Sequence, residues 1–315
     1  MNIFVAGPTG ALGIPLVRRL TAAGHEVTGM TRTPSKTGLL RSLGARPAVA
    51  DALDPDAVAR AVAEAEPEVI VHQLTALSGP FDMRHIDRTL AATNRLRTEG
   101  TDHLLAAGQA VGARRVIAQS FAGWPFARVG GPVKTEDDPL DPEPPEAFRS
   151  VLAAIRHLER AVTGITWADG LVLRYGGFYG PRTSLSADPS ADMAEAVRRR
   201  KMPLVGDGGG IWSFIHIEDA ATATVAAIER GGPGIYQVVD DEPAPVRVWL
   251  PELARALDAL APRRIPRWVA RLAAGEAATV MMTEMRGASN AKAKRELGWQ
   301  PRFGSWRAGF AEELA

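Results

Sequence analysis

The feature that most constrains this chain is a glycine-rich segment near its N-terminus, residues 5–13, with the sequence VAGPTGALG. It separates a short apolar stretch, residues 3–6, from a segment with helical spacing of apolar residues, residues 11–23. Glycine permits a tight turn and a close approach of the backbone to a ligand, and a helix N-terminus favours phosphate. A strand, a glycine loop and a helix in this order predict a dinucleotide site. Its expected contacts are Gly7, Thr9, Gly10, Ala11, Leu12 and Gly13.

Short apolar segments alternate with helical patterns along the first two thirds of the chain. After the first strand, further strands are predicted at 26–30, 46–50, 69–73, 115–120, 170–174 and 234–239, with helices at 54–65, 87–111 and 146–162 between them. Strands separated by helices indicate right-handed βαβ crossovers. We therefore expect an α/β fold, a Rossmann-type doubly wound parallel sheet with a smaller C-terminal α/β region. The predicted dinucleotide-binding domain is 1–177 plus about 211–240, and the predicted substrate-binding region is about 178–210 plus 241–315.

Composition excludes several classes of function. The formal net charge is +1, and a nucleic-acid binder usually carries a strongly basic face. The chain has no cysteine, so disulfides, thiolate metal sites and thiol nucleophiles are absent, and no other metal site is expected. No apolar run reaches the roughly 18–20 residues that span a bilayer, and the N-terminus lacks the pattern of a secretory signal. These features predict a cytoplasmic location and no membrane partner.

The end of the second predicted strand bears on the choice of dinucleotide. A carboxylate at this point would bind the ribose 2′-hydroxyl of NAD(H), whereas arginine can bind the 2′-phosphate of NADP(H). The sequence has Arg32 here, with Lys36 nearby. It therefore favours NADP(H) over NAD(H).

The glycine spacing G-x-x-G-x-x-G and several later motifs resemble the extended short-chain dehydrogenase/reductases, the family of the nucleotide-sugar epimerases and dehydratases. The later motifs are Asp51-Ala52, Gly100-Thr101 before HLLAA, Gln119-Ser120, LRYGGFYGP at 173–181, FIHIEDAA at 214–221, and Lys292 with ELGWQP at 296–301. The resemblance covers essentially the whole chain. It implies the same fold, and further cofactor contacts at Asp51, Ala52, Gln73, Leu74, Thr75, Ser120, Gly176, Gly177 and Phe178.

The chain departs from this family at the acid/base pair. The family's central motif is Tyr-x-x-x-Lys, in which the tyrosine transfers a proton and the lysine lowers its pKa and holds the ribose. None of the three tyrosines here, Tyr175, Tyr179 and Tyr236, has a lysine four residues later. Aligning Glu159 with the family's helix glutamate puts Val151 and Ile155 at the two positions; a shifted register puts Phe148 and Leu152 there. The family asparagine three residues before Gly100 is replaced by Arg97.

The remaining candidates for chemistry are few. Ser120 matches the family's serine and is a candidate hydrogen-bond donor to a carbonyl, and Tyr175 is a candidate substitute for the missing phenol. Trp212 stands where sugar-nucleotide members usually have an arginine that binds diphosphate, which favours a less polar substrate. The predicted substrate pocket comprises Trp124, Trp212 and Met282.

These features predict an NADP(H)-dependent oxidoreductase acting on a carbonyl, imine or conjugated double bond of a small, fairly apolar molecule. A non-redox isomerase, cyclase or dehydratase, or a sugar-nucleotide enzyme, is an alternative on the same fold, and an NADP-sensing regulatory protein is an alternative of another class. The family's dimer bundle implies a homodimer through helices near 87–111 and 146–162. The acidic, proline-rich stretch 135–145 is predicted to be a surface loop, with a lid as the alternative.

Overall fold

The computed structural model of the chain describes residues 1–77 and 82–314. At its centre is a parallel sheet of seven strands in the order β7-β6-β5-β4-β1-β2-β3. The strands are β1 Asn2–Ala6, β2 Glu26–Thr31, β3 Arg46–Val49, β4 Val69–His72, β5 Arg115–Phe121, β6 Asp169–Tyr175 and β7 Gly234–Val238. The predicted fold class is confirmed. From β1, the strands β2 and β3 are added toward one edge of the sheet, and β4 to β7 are added toward the other. A doubly wound sheet binds its ligand beyond the carboxyl ends of the strands at the point where this order reverses, here between β1 and β4.

Helices cover both faces of the sheet. They are α1 Gly13–Ala22, α2 Thr37–Ser42, α3 Pro55–Ala65, α4 Ile86–Thr89, α5 Ala91–Arg97, α6 Glu99–Ala110, α7 Arg149–Thr163, α8 Asp192–Arg198, α9 Ile217–Glu229, α10 Val246–Ala256, α11 Arg267–Thr283, α12 Ala291–Leu297 and α13 Trp306–Glu313. Helices α1 and α9 pack on one face, and α3, α6 and α7 on the other. Because both faces are buried, the strands are largely apolar, as in β1, where Phe4 enters one core and Val5 the other.

The prediction of a single helix at 87–111 was wrong, because the chain forms three helices there. Breaks fall at Leu90 and Thr98, and the Thr98 hydroxyl donates to the carbonyl of Asn94, four residues earlier. A threonine hydroxyl that bonds within the preceding turn offers the backbone an alternative to regular helix. The break ends α5 at Arg97, directly beside the carboxyl edge of the sheet.

A second core lies in the C-terminal third of the chain. Its largest buried side chains are Trp249, Trp306, Phe214 and Phe310, which pack mainly edge to face or tilted. Pairs of short strands connect this region: Gly177–Tyr179 with Phe214–His216, Leu204–Val205 with Arg264–Ile265, Ile211–Trp212 with Ala244–Pro245, and Val133–Lys134 with Gly287–Ala288. Helix α11 is kinked at Gly275, which has a φ of 88°.

The acidic loop 135–145 is attached to the rest of the molecule by ion pairs and hydrogen bonds. Asp138 accepts from Lys134 at 3.0 Å, and Asp141 accepts from Arg128 at 3.0 Å. Arg156 of α7 donates to the carbonyl of Asp141 at 2.5 Å. These contacts favour the surface-loop interpretation over the lid. No helix within 1–77 or 82–314 has both the length and the apolar character needed to cross a membrane.

Candidate functional site

The glycine loop folds tightly against the start of α1 and the end of β4. Gly7 has a φ of +94°, and a Cβ there would lie 2.6 Å from the carbonyl oxygen of Gln73. A Cβ on Gly13 would lie 2.2 Å from the carbonyl oxygen of Gly7. Any larger residue at these two positions would therefore displace backbone, because real Cβ atoms do not approach so closely.

The loop delivers an uncapped helix N-terminus to the carboxyl edge of the sheet. No side chain caps α1 at Leu12, and its first turn contains no acidic residue. Gly10 is exposed, and the nearest atom that a Cβ would meet there is the Gly7 carbonyl oxygen at 3.6 Å. Free amides and the positive end of the helix dipole form an anion site, so these residues fit the diphosphate of a dinucleotide.

Cations surround the end of β2, on the β2–β3 side of the loop. Arg32 is exposed, and the structure gives its side chain no ion pair or hydrogen bond within 1–77 and 82–314. Lys36 is also exposed, and its Nζ lies 3.4 Å from the Thr9 hydroxyl of the glycine loop. At the end of β3, the exposed Asp51 accepts from the amide of Leu53, while the carbonyl of the buried Ala52 bonds His103 of α6 at 2.9 Å. These residues fit the adenosine half of a dinucleotide.

The segment after β4 forms the next wall. His72 is buried, with Nε2 3.1 Å from the Thr101 hydroxyl, and burial lowers its pKa to about 4, so it is neutral at pH 7. The side-chain amide of Gln73 is buried beside the Tyr175 hydroxyl, and within 1–77 and 82–314 it makes no hydrogen bond of regular geometry. Leu74 and Thr75, which follow, are half-buried. The predicted cofactor contacts of these three residues remain predictions.

Ser120 does not face this cleft. It is buried, and its hydroxyl donates to Oε1 of Glu159 on α7 at 2.7 Å. Arg174 of β6 binds the same carboxylate in a bidentate manner, at 2.8 Å through Nε and 2.6 Å through Nη2. The hydroxyl of Ser120 is therefore committed to a structural cluster, and this geometry argues against the predicted catalytic role.

Tyr175 also lies away from the candidate site. The side chain is fully buried in the core under α9, where its hydroxyl lies 2.7 Å from that of Thr224. Burial raises the pKa of the phenol well above its ordinary value, which makes it a poor acid. This geometry likewise argues against the predicted substitute for the missing tyrosine. Gly176, Gly177 and Phe178 follow directly, and the amide of Gly177 donates to the carbonyl of Ser213 at 2.9 Å.

The positions of the missing acid and base are apolar. Because Glu159 binds the sheet, Val151 and Ile155, which precede it by two turns and one turn, lie on the same face of α7. Both are buried, in a cluster with Phe148, Ala277 and Val280. Phe148 and Leu152, the alternatives of the shifted register, are buried as well. Neither register supplies an acid or a base.

An aromatic wall extends from the end of β5 over this cluster. Trp124 stacks on Phe148 at a centroid distance of 4.4 Å and an angle of 18°, and on Phe121 at 6.4 Å. Met285 packs against Gly123 beside this wall, since a Cβ on Gly123 would lie 2.8 Å from the Met285 methyl group. Trp124 is half-buried beside the apolar cluster, and its predicted place in a substrate pocket remains a prediction.

The other two predicted pocket residues belong to the C-terminal core. Met282 is buried in that core, and Trp212 packs on Trp249 at 4.9 Å while its indole N–H donates to the carbonyl of Met281. Their predicted place in a substrate pocket remains a prediction. Sequence reasoning missed Phe121 and the inward position of Glu159, and it noted Arg97 as a departure without assigning it a role.

Comparison with known proteins identifies the family. A sequence model of the NAD dependent epimerase/dehydratase family matches residues 3–238. The chain belongs to this family. The resemblance predicted from the motifs is therefore confirmed.

Similar proteins bearing assigned activities include reductases. A 3-diazoavenalumate denitrifying reductase from a Streptomyces species is 45% identical over 99% of this chain and 100% of the relative. A 2-alkyl-3-oxoalkanoate reductase from Stenotrophomonas maltophilia is 28% identical over 82% of this chain and 76% of its own. These relatives support an oxidoreductase acting on a small molecule.

Solved structures confirm the fold. A UDP-glucose 4-epimerase from Thermotoga maritima matches all of this chain and 97% of its own, with a TM-score of 0.77 and 22% identity. A human epimerase family protein solved with NADPH matches all of this chain and 99% of its own, with a TM-score of 0.76 and 20% identity.

Replacing Gly10 with alanine tests the glycine loop as a diphosphate site. The fold has room for the added methyl group, so we expect Gly10→Ala to keep the wild-type unfolding temperature. Close approach of a phosphate to the backbone would be blocked, so NADPH affinity is expected to fall about tenfold or more. Isothermal titration measures the affinity. Gly38→Ala, in α2 with no atom within 4 Å of its Cβ, is the matched control. Unchanged NADPH affinity in Gly10→Ala would contradict the assignment.

Proposed function

We propose that this protein is an NADPH-dependent reductase that transfers hydride to an electrophile needing no proton from the enzyme. An aryldiazonium cation is the acceptor that we favour. The observation that carries the proposal is the apolar cluster of Val151 and Ile155 at the positions of the family's tyrosine and lysine. The most similar of the reductases described above is named for reduction of a diazo compound with loss of nitrogen.

The proton balance distinguishes the acceptors. A ketone must take up one hydride and one proton to become an alcohol, and a catalytic acid speeds this step. A diazonium ion R–N₂⁺ needs only hydride. Hydride forms a new N–H bond at the terminal nitrogen and gives R–N=N–H. The C–N and N–H bonds of this species then break, N₂ leaves, and the hydrogen passes to carbon to give R–H. The electron pair of the hydride balances the positive charge, so no external acid is required. A site without an acid is therefore suited to a diazonium cation.

The cofactor contacts support NADPH over NADH. When bound, NADPH supplies the hydride. Arg32 and Lys36 would hold the 2′-phosphate, because both are exposed cations beside the glycine loop and no carboxylate follows β2. Gly7, Gly10 and Gly13 would hold the diphosphate. Asp51 and Ala52 would contact the adenine end.

The remaining residues orient the acceptor and exclude water. The Phe121–Trp124–Phe148 stack offers a flat aromatic surface to a conjugated molecule, and aromatic pairs add to the ordinary gain of apolar burial. Val151, Ile155 and Met285 keep the vicinity of the reacting group apolar. An apolar surround limits the access of water, which would otherwise hydrolyse a reactive diazonium.

Substitution of Arg32 tests the choice of dinucleotide. We expect Arg32→Ala to weaken NADPH binding by about tenfold to a hundredfold and to leave NADH binding within about twofold, since only NADPH carries the 2′-phosphate. Quenching of tryptophan fluorescence measures both affinities. The control is Arg18→Ala. Arg18 is exposed on α1, and its side chain makes no hydrogen bond or ion pair within the described ranges. An equal effect on the two dinucleotides would refute a 2′-phosphate contact.

A panel of acceptors tests the reaction. The purified protein is incubated with NADPH and an aryldiazonium salt, a cyclic iminium ion, a conjugated enone or a β-keto ester, each against a blank without protein. We expect the enzymatic rate to be highest for the diazonium, with R–H and N₂ as products, and the β-keto ester to be slowest because it needs a proton. Fast reduction of the β-keto ester alone would point to a conventional ketoreductase. Product formation without NADPH consumption would point to the non-redox alternative.

A further inference from the structure

Arg97 is a cation on the wall of the cleft that the proposed function leaves without a role. It is the last residue of α5, half-buried, with its Nη1 nitrogen buried. The positive charge of Arg97 lowers the pKa of His72 at the end of β4, and the negative charge of Glu159 on α7 raises the pKa of Arg97. The carbonyl of Arg97 accepts from the Thr101 hydroxyl, which lies 3.1 Å from His72, so Arg97 lies near the carboxyl end of β4.

The guanidinium of Arg97 has no counter-ion of its own. Within 1–77 and 82–314, its side chain makes no hydrogen bond and no ion pair, and burial lowers its pKa to about 10. Glu159 is the carboxylate whose charge acts on Arg97, but both of its oxygens already bind Arg174, and one also binds Ser120. Two guanidinium groups thus share one carboxylate, while His72 is neutral.

The other charged groups nearby do not neutralise Arg97. The charges of Lys292 and Arg174 both lower the pKa of Glu136. Because Lys292 balances the charge of Glu136, these two residues together add no net charge. Arg95 and Glu99 bind each other on the exposed face of the helices, at 2.8 Å. Among the described residues, the region at the carboxyl end of β4 therefore carries one unbalanced positive charge.

The position of this charge along the sheet indicates what it faces. Arg32 and Asp51 follow β2 and β3, on one side of the glycine loop, and they would hold the adenosine half. Arg97 is linked through Thr101 to His72 at the end of β4, on the opposite side of the loop, where the nicotinamide half of a dinucleotide would extend. The ring of that half is neutral when reduced and carries a positive charge when oxidised.

We propose that Arg97 forms the cationic wall beside the nicotinamide ribose and that its unbalanced charge makes the protein bind NADPH more tightly than NADP⁺. This inference rests on the proposed function and adds to it a residue that discriminates between oxidation states. Arg97 would replace the missing lysine as the ribose contact, and its repulsion of the oxidised ring would promote exchange of NADP⁺ for NADPH after each turnover.

The test compares the affinities of NADPH and NADP⁺, by titration calorimetry, in the wild type and in Arg97→Gln. A like charge within several ångströms in a partly buried site changes binding by about tenfold. We expect the wild type to prefer NADPH by about tenfold or more, and Arg97→Gln to lose most of this preference. Arg97→Lys, which keeps the charge, should retain it. Arg95→Gln removes a charge from the exposed face of the same helix and should leave the ratio unchanged.

The outcomes separate this inference from the proposed function. Equal affinities for the two oxidation states in the wild type, or a ratio within about twofold of the wild type in Arg97→Gln, overturn the role of Arg97 even if NADPH is oxidised. If Arg97→Gln does not fold, the wild-type ratio and its retention in Arg97→Lys decide. Preferential NADPH binding without oxidation by any acceptor overturns the reductase and leaves Arg97 supported. No binding of either form overturns both.

Discussion

The buried ion pair between Glu159 and Arg174 is the contact on which the rest of the site depends. It joins α7 to β6, and through Ser120 it also joins α7 to β5. Breaking such a pair by removing one partner usually costs about 3–5 kcal/mol, so it fixes the helix firmly. Its position decides which face of α7 lies over the carboxyl ends of the strands. That face carries Val151 and Ile155 where a conventional member of the family has its acid and base.

The chemistry of the cleft follows from this arrangement. Around the positions of the missing acid and base, the described side chains are apolar, and a stack of aromatic rings lies beside them. Within 1–77 and 82–314, neither predicted proton donor is free to act here, since Ser120 is bonded to Glu159 and Tyr175 lies in the core. Such a surround suits a reaction in which hydride alone must be delivered. It is poorly suited to a ketone, whose oxygen must gain a proton as the carbon gains hydride.

The sequence predicted the parts of the structure that depend on local pattern. The glycine loop, the alternation of strands and helices, and Arg32 at the end of β2 all follow from spacing and from the steric needs of backbone. The break at Thr98 was missed because it depends on the backbone of one residue, whose φ of −99° and ψ of −84° leave the helical region and are not revealed by periodicity. The inward position of Glu159 and the burial of Tyr175 were also missed. They depend on partners distant in sequence, Arg174 and Thr224 respectively, which periodicity does not reveal.

The pH dependence of hydride transfer tests the absence of an enzyme acid most directly. Single-turnover oxidation of NADPH is followed by stopped flow with an aryldiazonium that has no ionisable substituent, between about pH 5 and about pH 7.5. A site without a proton donor predicts a rate constant that stays constant across this range and shows no solvent deuterium effect. A rate constant that changes about tenfold per pH unit, with a solvent deuterium effect, would show that a group of the enzyme delivers a proton and would contradict the reaction proposed for this site.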